Sequence, residues 1–135
     1  MKIELSLTEL EVLSAALTRL KFDDVPPEPF FGSPHLAAAH ERILRSLIEA
    51  SREEGDIGRA ARWDKWRGWQ GREHERSLIR DYVSNLAVWN EWSDEQKVEF
   101  LVVCAAPFTL SDAELNSLRE ETDSSAHWKI KGQGG

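Results

Sequence analysis

Residues 33–53 read Ser33-Pro34-His35-Leu36-Ala37-Ala38-Ala39-His40-Glu41-Arg42-Ile43-Leu44-Arg45-Ser46-Leu47-Ile48-Glu49-Ala50-Ser51-Arg52-Glu53. Every level of reading gives a helix here. Ser33 can accept a free backbone N–H as N-cap, and Pro34 at the first helical position loses no bond by lacking its own N–H. Leu36, Ile43, Leu44, Leu47 and Ile48 recur at helical spacing and give one apolar stripe. A helix of this length with one greasy face needs other elements to cover it. The rest of the chain supplies more helices.

Downstream, Gly55 and Gly58 bracket a break, and a third helical stretch is expected to begin near Asp56 and hold Trp63, Trp66 and Trp69. Gly68 and Gly71 then open a stretch that has no apolar side chain over 70–77. Each glycine costs about 1 kcal/mol inside a helix, so a break is expected near 68–72. The stripe resumes at Leu78, Ile79, Tyr82, Val83, Leu86 and Trp89. Ser93-Asp94-Glu95-Gln96 and Ser111-Asp112-Ala113-Glu114 both read as capping boxes, in which a serine hydroxyl and the side chain three residues on serve each other's backbone N–H. Upstream, four of the five prolines fall in 23–34 and bar a helix there. Before them, Thr8-Glu9-Leu10-Glu11 reads as a cap, followed by Leu10, Leu13, Leu17 and Leu20 on one face. Residues 2–7 alternate Ile3, Leu5 and Leu7 with polar side chains, the pattern of a short strand.

The expectation is an all-α, single-domain bundle of about five helices, with a short N-terminal strand as an option. Helical segments fall at 9–21, 34–53, 57–69, 75–92, 94–105 and 112–121. Residues 1–121 make the helical domain. Residues 122–135, rich in Ser and Gly, read as a flexible tail whose Trp128-Lys129-Ile130-Lys131 could pair with residues 2–7. At 135 residues the chain is long enough to fold on its own core.

The single cysteine, Cys104, rules out an intrachain disulfide, and two glutamates among the first nine residues do not suit a secretion signal, so a cytoplasmic protein is expected. The longest apolar run is nine residues and contains Pro107, so no membrane partner is expected. Cys104 sits among apolar neighbours, where a thiol is a core group rather than a nucleophile. None of His35, His40, His74 and His127 lies four residues from another, so no helix face offers a metal pair. No phosphate-binding, dinucleotide or nucleophile-elbow motif is present. No cofactor, no metal and no enzymatic activity are expected.

Net charge is −7 but unevenly spread. Residues 59–80 carry seven basic against three acidic side chains, a +4 window in a chain that is otherwise −11. On a helix, Arg59–Trp63, Arg62–Trp66 and Lys65–Trp69 are four residues apart, which lets each cation lie against the next ring. Arg59, Arg62, Trp63, Lys65, Trp66, Arg67, Trp69 and Arg72 are therefore the candidate partner-binding residues, since Arg and Trp are enriched among binding hot spots. The alternative for the same rings is ordinary core packing under basic stems. The Pro-rich loop carries Phe30 and Phe31, read as covers for the first helix pair, with a docking loop as the alternative. The leading functional expectation is a non-enzymatic module that binds another protein, as an inhibitor, adaptor or immunity-type neutraliser. Single-stranded nucleic acid bound by 59–80 is the alternative, and a homo-oligomer is compatible with either.

Overall fold

A computed structural model describes residues 1–23 and 25–133, with side chains of the last helix as far as Ala126. Among the described residues the fold is all-α, with six helices: α1 (Leu7–Phe22), α2 (Pro34–Glu53), α3 (Ile57–Trp66), α4 (Glu73–Ser84), α5 (Asp94–Ala105) and α6 (Asp112–Gln133). A 3-10 turn, Trp89–Glu91, precedes α5. α2 has the bounds its sequence implies, with the Ser33 hydroxyl accepting from Leu36 N–H. It ends in a Schellman turn: Gly55 N–H meets Arg52 O, Asp56 N–H meets Ser51 O, and Gly55 takes a left-handed φ of 83°.

Several chain segments depart from the sequence reading. Residues 1–6 form no strand, because the Ser6 hydroxyl caps α1 and Glu9 returns the bond to Ser6 N–H. That box lies two residues before the Thr8 box and leaves Glu11 free for another partner. α3 begins at Ile57, the expected start, capped by Asp56, and so takes in Gly58, one of the two glycines read as bracketing the break. α3 stops at Trp66, three residues early, because Arg67 and Gly68 pair instead with the segment after α5: Arg67 O accepts from Thr109 N–H at 2.8 Å. α4 stops at Ser84 rather than near 92; the Asn85 side chain donates to Asp81 O, and the following turn swings Trp89 into the core. α6 does not stop near Glu121. It runs to Gln133, so most of the expected tail, including residues 128–131, is helix and makes no strand. Thr122 and Ala126 are buried on it, and the Thr122 hydroxyl returns to Leu118 O. The break at 68–72 and the Ser93 and Ser111 boxes are where the sequence puts them.

The helices pack in two sets. α1 and α3 both lie on α2, over a core of Leu10, Leu44, Leu47, Ile48 and Ala60. α4 and α5 lie on α6, over a larger core that includes Phe31, Trp89, Leu101 and Phe108. Trp66 touches both cores, and its ring meets Phe108 at 5.0 Å. The Pro-rich loop closes the joint: Phe31 is fully buried against Phe22 and Tyr82, whereas Phe30 is exposed.

α1 is turned in an unexpected way. Of its expected stripe only Leu10 is buried, and Leu13 and Leu20 are 37% and 44% exposed. Its inward face carries polar groups instead. The Ser14 hydroxyl meets His40 Nε2 at 3.0 Å, and Lys21 Nζ donates to Val103 O and Ala106 O at the end of α5. Those carbonyls are orphans of a helix C-terminus, where a cation is favoured. Burial lowers Lys21 to about 8.

His40 makes the fold acid-sensitive. Burial, helped by Lys21, lowers its pKa from 6.5 to about 4. Below 6.5 the unfolded chain binds a proton that the folded chain refuses. Stability is therefore fully present above that value and is lost as pH falls toward 4, at up to about 1.4 kcal/mol per pH unit. Urea unfolding across this range should show that slope, and His40→Gln should flatten it. An equal slope in the variant assigns the acid sensitivity elsewhere.

Candidate functional site

α1 and α3 share α2 as a floor but barely touch each other. Between them runs a groove of about 560 Å³. α3 contributes Arg59, Arg62, Trp63 and Trp66, and α1 contributes Glu11, Ser14, Ala15, Thr18 and Arg19. Trp63 and Trp66 stand edge to face with centroids 5.5 Å apart, and both remain partly accessible. Arg59 forms an ion pair with Glu11 across the groove. Arg62 and Arg19 are exposed and make no ion pair with any described residue. Among the described residues the groove therefore combines an aromatic wall with three arginines against one glutamate.

Four of the eight expected binding residues meet here: Arg59, Arg62, Trp63 and Trp66. The other four do not line it. Lys65 is exposed on α3 without an ion pair to any described residue. Arg67 turns to α2, where Glu41 takes both of its bonds at 2.5 and 2.6 Å. Trp69 is buried beside Phe108, the core outcome for that ring. Arg72 lies over Phe108 at 4.2 Å and Trp66 at 5.3 Å, and donates to Gly68 O and Trp66 O. The three forward cation–ring pairs do not form among the described residues; the cation over Trp66 comes from after the helix break. A free arginine head at the groove rim gains more from water than from its own ring.

The +4 window is largely neutralised where it stands. Arg80 bonds Glu121 at 2.8 Å and Asp81 at 3.1 Å, and Arg76 pairs with Glu73 and lies 3.7 Å from Glu121. With Arg59 and Arg67 also paired and Arg72 stacked, Arg62 and Lys65 are the cations of 59–80 that no described residue pairs with.

The sequence reading missed the α1 wall. One signal was present: Leu10, Val12, Leu13, Ala15, Ala16, Leu17 and Leu20 spread over about 220° of the circumference of α1, too wide an arc for a single neighbour to cover. Val12, 64% exposed, and Leu20, 44% exposed, leave apolar surface on the outer side of α1. On its other side, Leu13 shares a second apolar hollow with Ile3, Leu5 and Ile43.

Other reactive groups are built into the core. Cys104 is fully buried, and burial pushes its thiol up to about 12. A thiol so rarely ionised is a poor nucleophile. A thiol reagent should modify it only on denaturation, and Cys104→Ser should cost about 1–3 kcal/mol for the unpaired hydroxyl. Rapid labelling of the folded protein would place Cys104 in a reactive site. Among the described residues no three His, Cys, Asp or Glu side chains are grouped to hold a metal ion, and no helix is long and apolar enough to cross a membrane. Comparison with known proteins finds no matching family model, no similar curated protein and no similar solved structure.

Proposed function

We propose that this chain is a non-enzymatic cytoplasmic module that works by binding another protein, with the α1–α3 face as its contact surface. The observation that carries the reading is the outward turn of α1. Ser14 and Lys21 occupy its inner face, while Val12, Leu13, Ala16 and Leu20 meet solvent. Such an exchange forgoes apolar burial worth about 1.5–3 kcal/mol per large side chain, a cost that a partner covering the face would recover. The groove beside it adds two accessible tryptophans and free arginines, the residue types that anchor interfaces. An inhibitor, adaptor or neutralising role fits this construction.

The nucleic-acid reading loses its main support. A single strand needs a track of cations to meet successive phosphates. Four of the seven basic side chains in 59–80 are held in ion pairs and a fifth is stacked.

Affinity capture from the native host tests the proposal. Wild type should recover a stoichiometric protein that resists nuclease, and Val12→Asp with Leu20→Asp should lose it while keeping the melting temperature. Both positions are exposed, and surface changes of this kind usually move stability by less than about 0.5 kcal/mol. Nuclease-sensitive recovery, or full recovery by the double variant, contradicts it.

A further inference from the structure

The α1–α3 groove has a chemistry that narrows its occupant. Its α3 side carries the Trp63–Trp66 pair, two partly accessible rings at 78° to each other. Its walls carry Arg19 on α1 and Arg62 on α3, both exposed and unpaired among the described residues. Glu11, the one acidic lining group, is already taken by Arg59. An acidic protein, −7 overall, thus places two free arginines beside an aromatic slot in which Glu11 is the acidic lining group among the described residues. At physiological salt the Debye length is about 8 Å, so a ligand seated in the slot feels these arginines more than the distant acidic surface.

We propose that this groove takes an acidic segment of a protein partner: an aliphatic or aromatic side chain lies on Trp63 and Trp66 while flanking carboxylates meet Arg19 and Arg62. The inference rests on the reading of this face as a binding surface. Guanidinium groups match carboxylates in a two-point fork, and the bond is charge-assisted. A short acidic segment satisfies two arginines with two or three carboxylates. A nucleic-acid strand brings a continuous run of phosphates, most of which would meet the acidic remainder of the surface.

Selection of a random peptide-display library on the immobilised full-length protein tests this. Enriched peptides should combine Asp or Glu with Leu, Phe or Trp, and their affinity should fall as salt is raised. Arg19→Glu and Arg62→Glu should each weaken the selected peptides about tenfold or more, since a hydrogen bond to a charged group is worth roughly 1.5–3 kcal/mol. Arg42→Glu, on α2 outside the groove, should leave them unchanged. Unchanged melting of all three variants confirms that folding is not what was altered. Enrichment of basic or uncharged peptides, acidic peptides indifferent to Arg19 and Arg62, or no enrichment at all would overturn the proposal. So would tighter, Arg62-dependent binding of a mixed-sequence single-stranded DNA. None of these removes a host protein captured through Val12 and Leu20, so the general binding function and the acidic-segment chemistry fail separately.

Discussion

Asp123→Ala should lower the free energy of unfolding by about 3 kcal/mol, the characteristic cost of stranding buried partners of a charged group. One carboxylate on α6 serves three donors. Oδ1 accepts from Trp89 Nε1 at 3.0 Å and from Lys97 Nζ at 2.8 Å, and Oδ2 accepts from Arg119 at 3.0 Å. Trp89 is fully buried, so its indole N–H has no water to turn to. Lys97 lies over the same ring, 5.0 Å from its centre, and loses its counter-charge together with the indole. The carboxylate is about one-third exposed, which keeps the figure near the low end for a buried ion pair. Urea denaturation checks this, with the midpoint shifting and the slope unchanged. A shift below about 0.5 kcal/mol would mean that water replaces Asp123 and that the network does not hold α6 to α5. The same bonds explain why α6 continues past Glu121. The composition of 122–135 suggests a tail, but Thr122, Asp123 and Ala126 are each committed to the core or its polar lock.

Two adjacent phenylalanines should behave very differently. Phe31→Ala should cost about 3–5 kcal/mol, the usual range for deleting a buried ring. Phe31 is fully enclosed, 4.6 Å from Tyr82 and 6.0 Å from Phe22 between ring centres. Phe30, 48% exposed, should cost less than about 0.5 kcal/mol. Thermal or urea unfolding of the two single variants decides it. Equal losses would show that the loop closes the joint with both rings; no loss from Phe31→Ala would free the whole loop to dock a partner.

Local signals were the most legible in the sequence. Caps at Ser33, Ser93 and Ser111, the glycines at 55 and 71 and the stripe of α2 each depend on residues within one or two turns, and all are realised. What failed depended on distant partners. Thr8 is a sound cap in isolation, but Ser6 forms its box while Glu11 goes to Arg59, 48 residues away in the chain. Leu13 and Leu20 have perfect spacing, yet His40 and the end of α5 draw Ser14 and Lys21 inward and rotate them out. The candidate site was half legible for the same reason. The α3 side announces itself as Arg59, Arg62, Trp63 and Trp66, whereas Arg19 becomes part of the site only because α1 packs beside α3 on a common support. The charge excess of 59–80 was real in composition, but Glu41, Glu121 and Glu11 consume much of it from other helices.

The most direct measurement is site-specific photo-cross-linking in the native host. A photoreactive side chain is placed in turn at Val12, at Arg62 and at Glu95, which opens α5 far along the chain from both. If the α1–α3 face is the contact surface, Val12 and Arg62 each cross-link to the same protein in high yield, and Glu95 does not. Cross-links that arise from Glu95 alone, or from none of the three under conditions where a partner is still recovered by capture, would contradict that assignment.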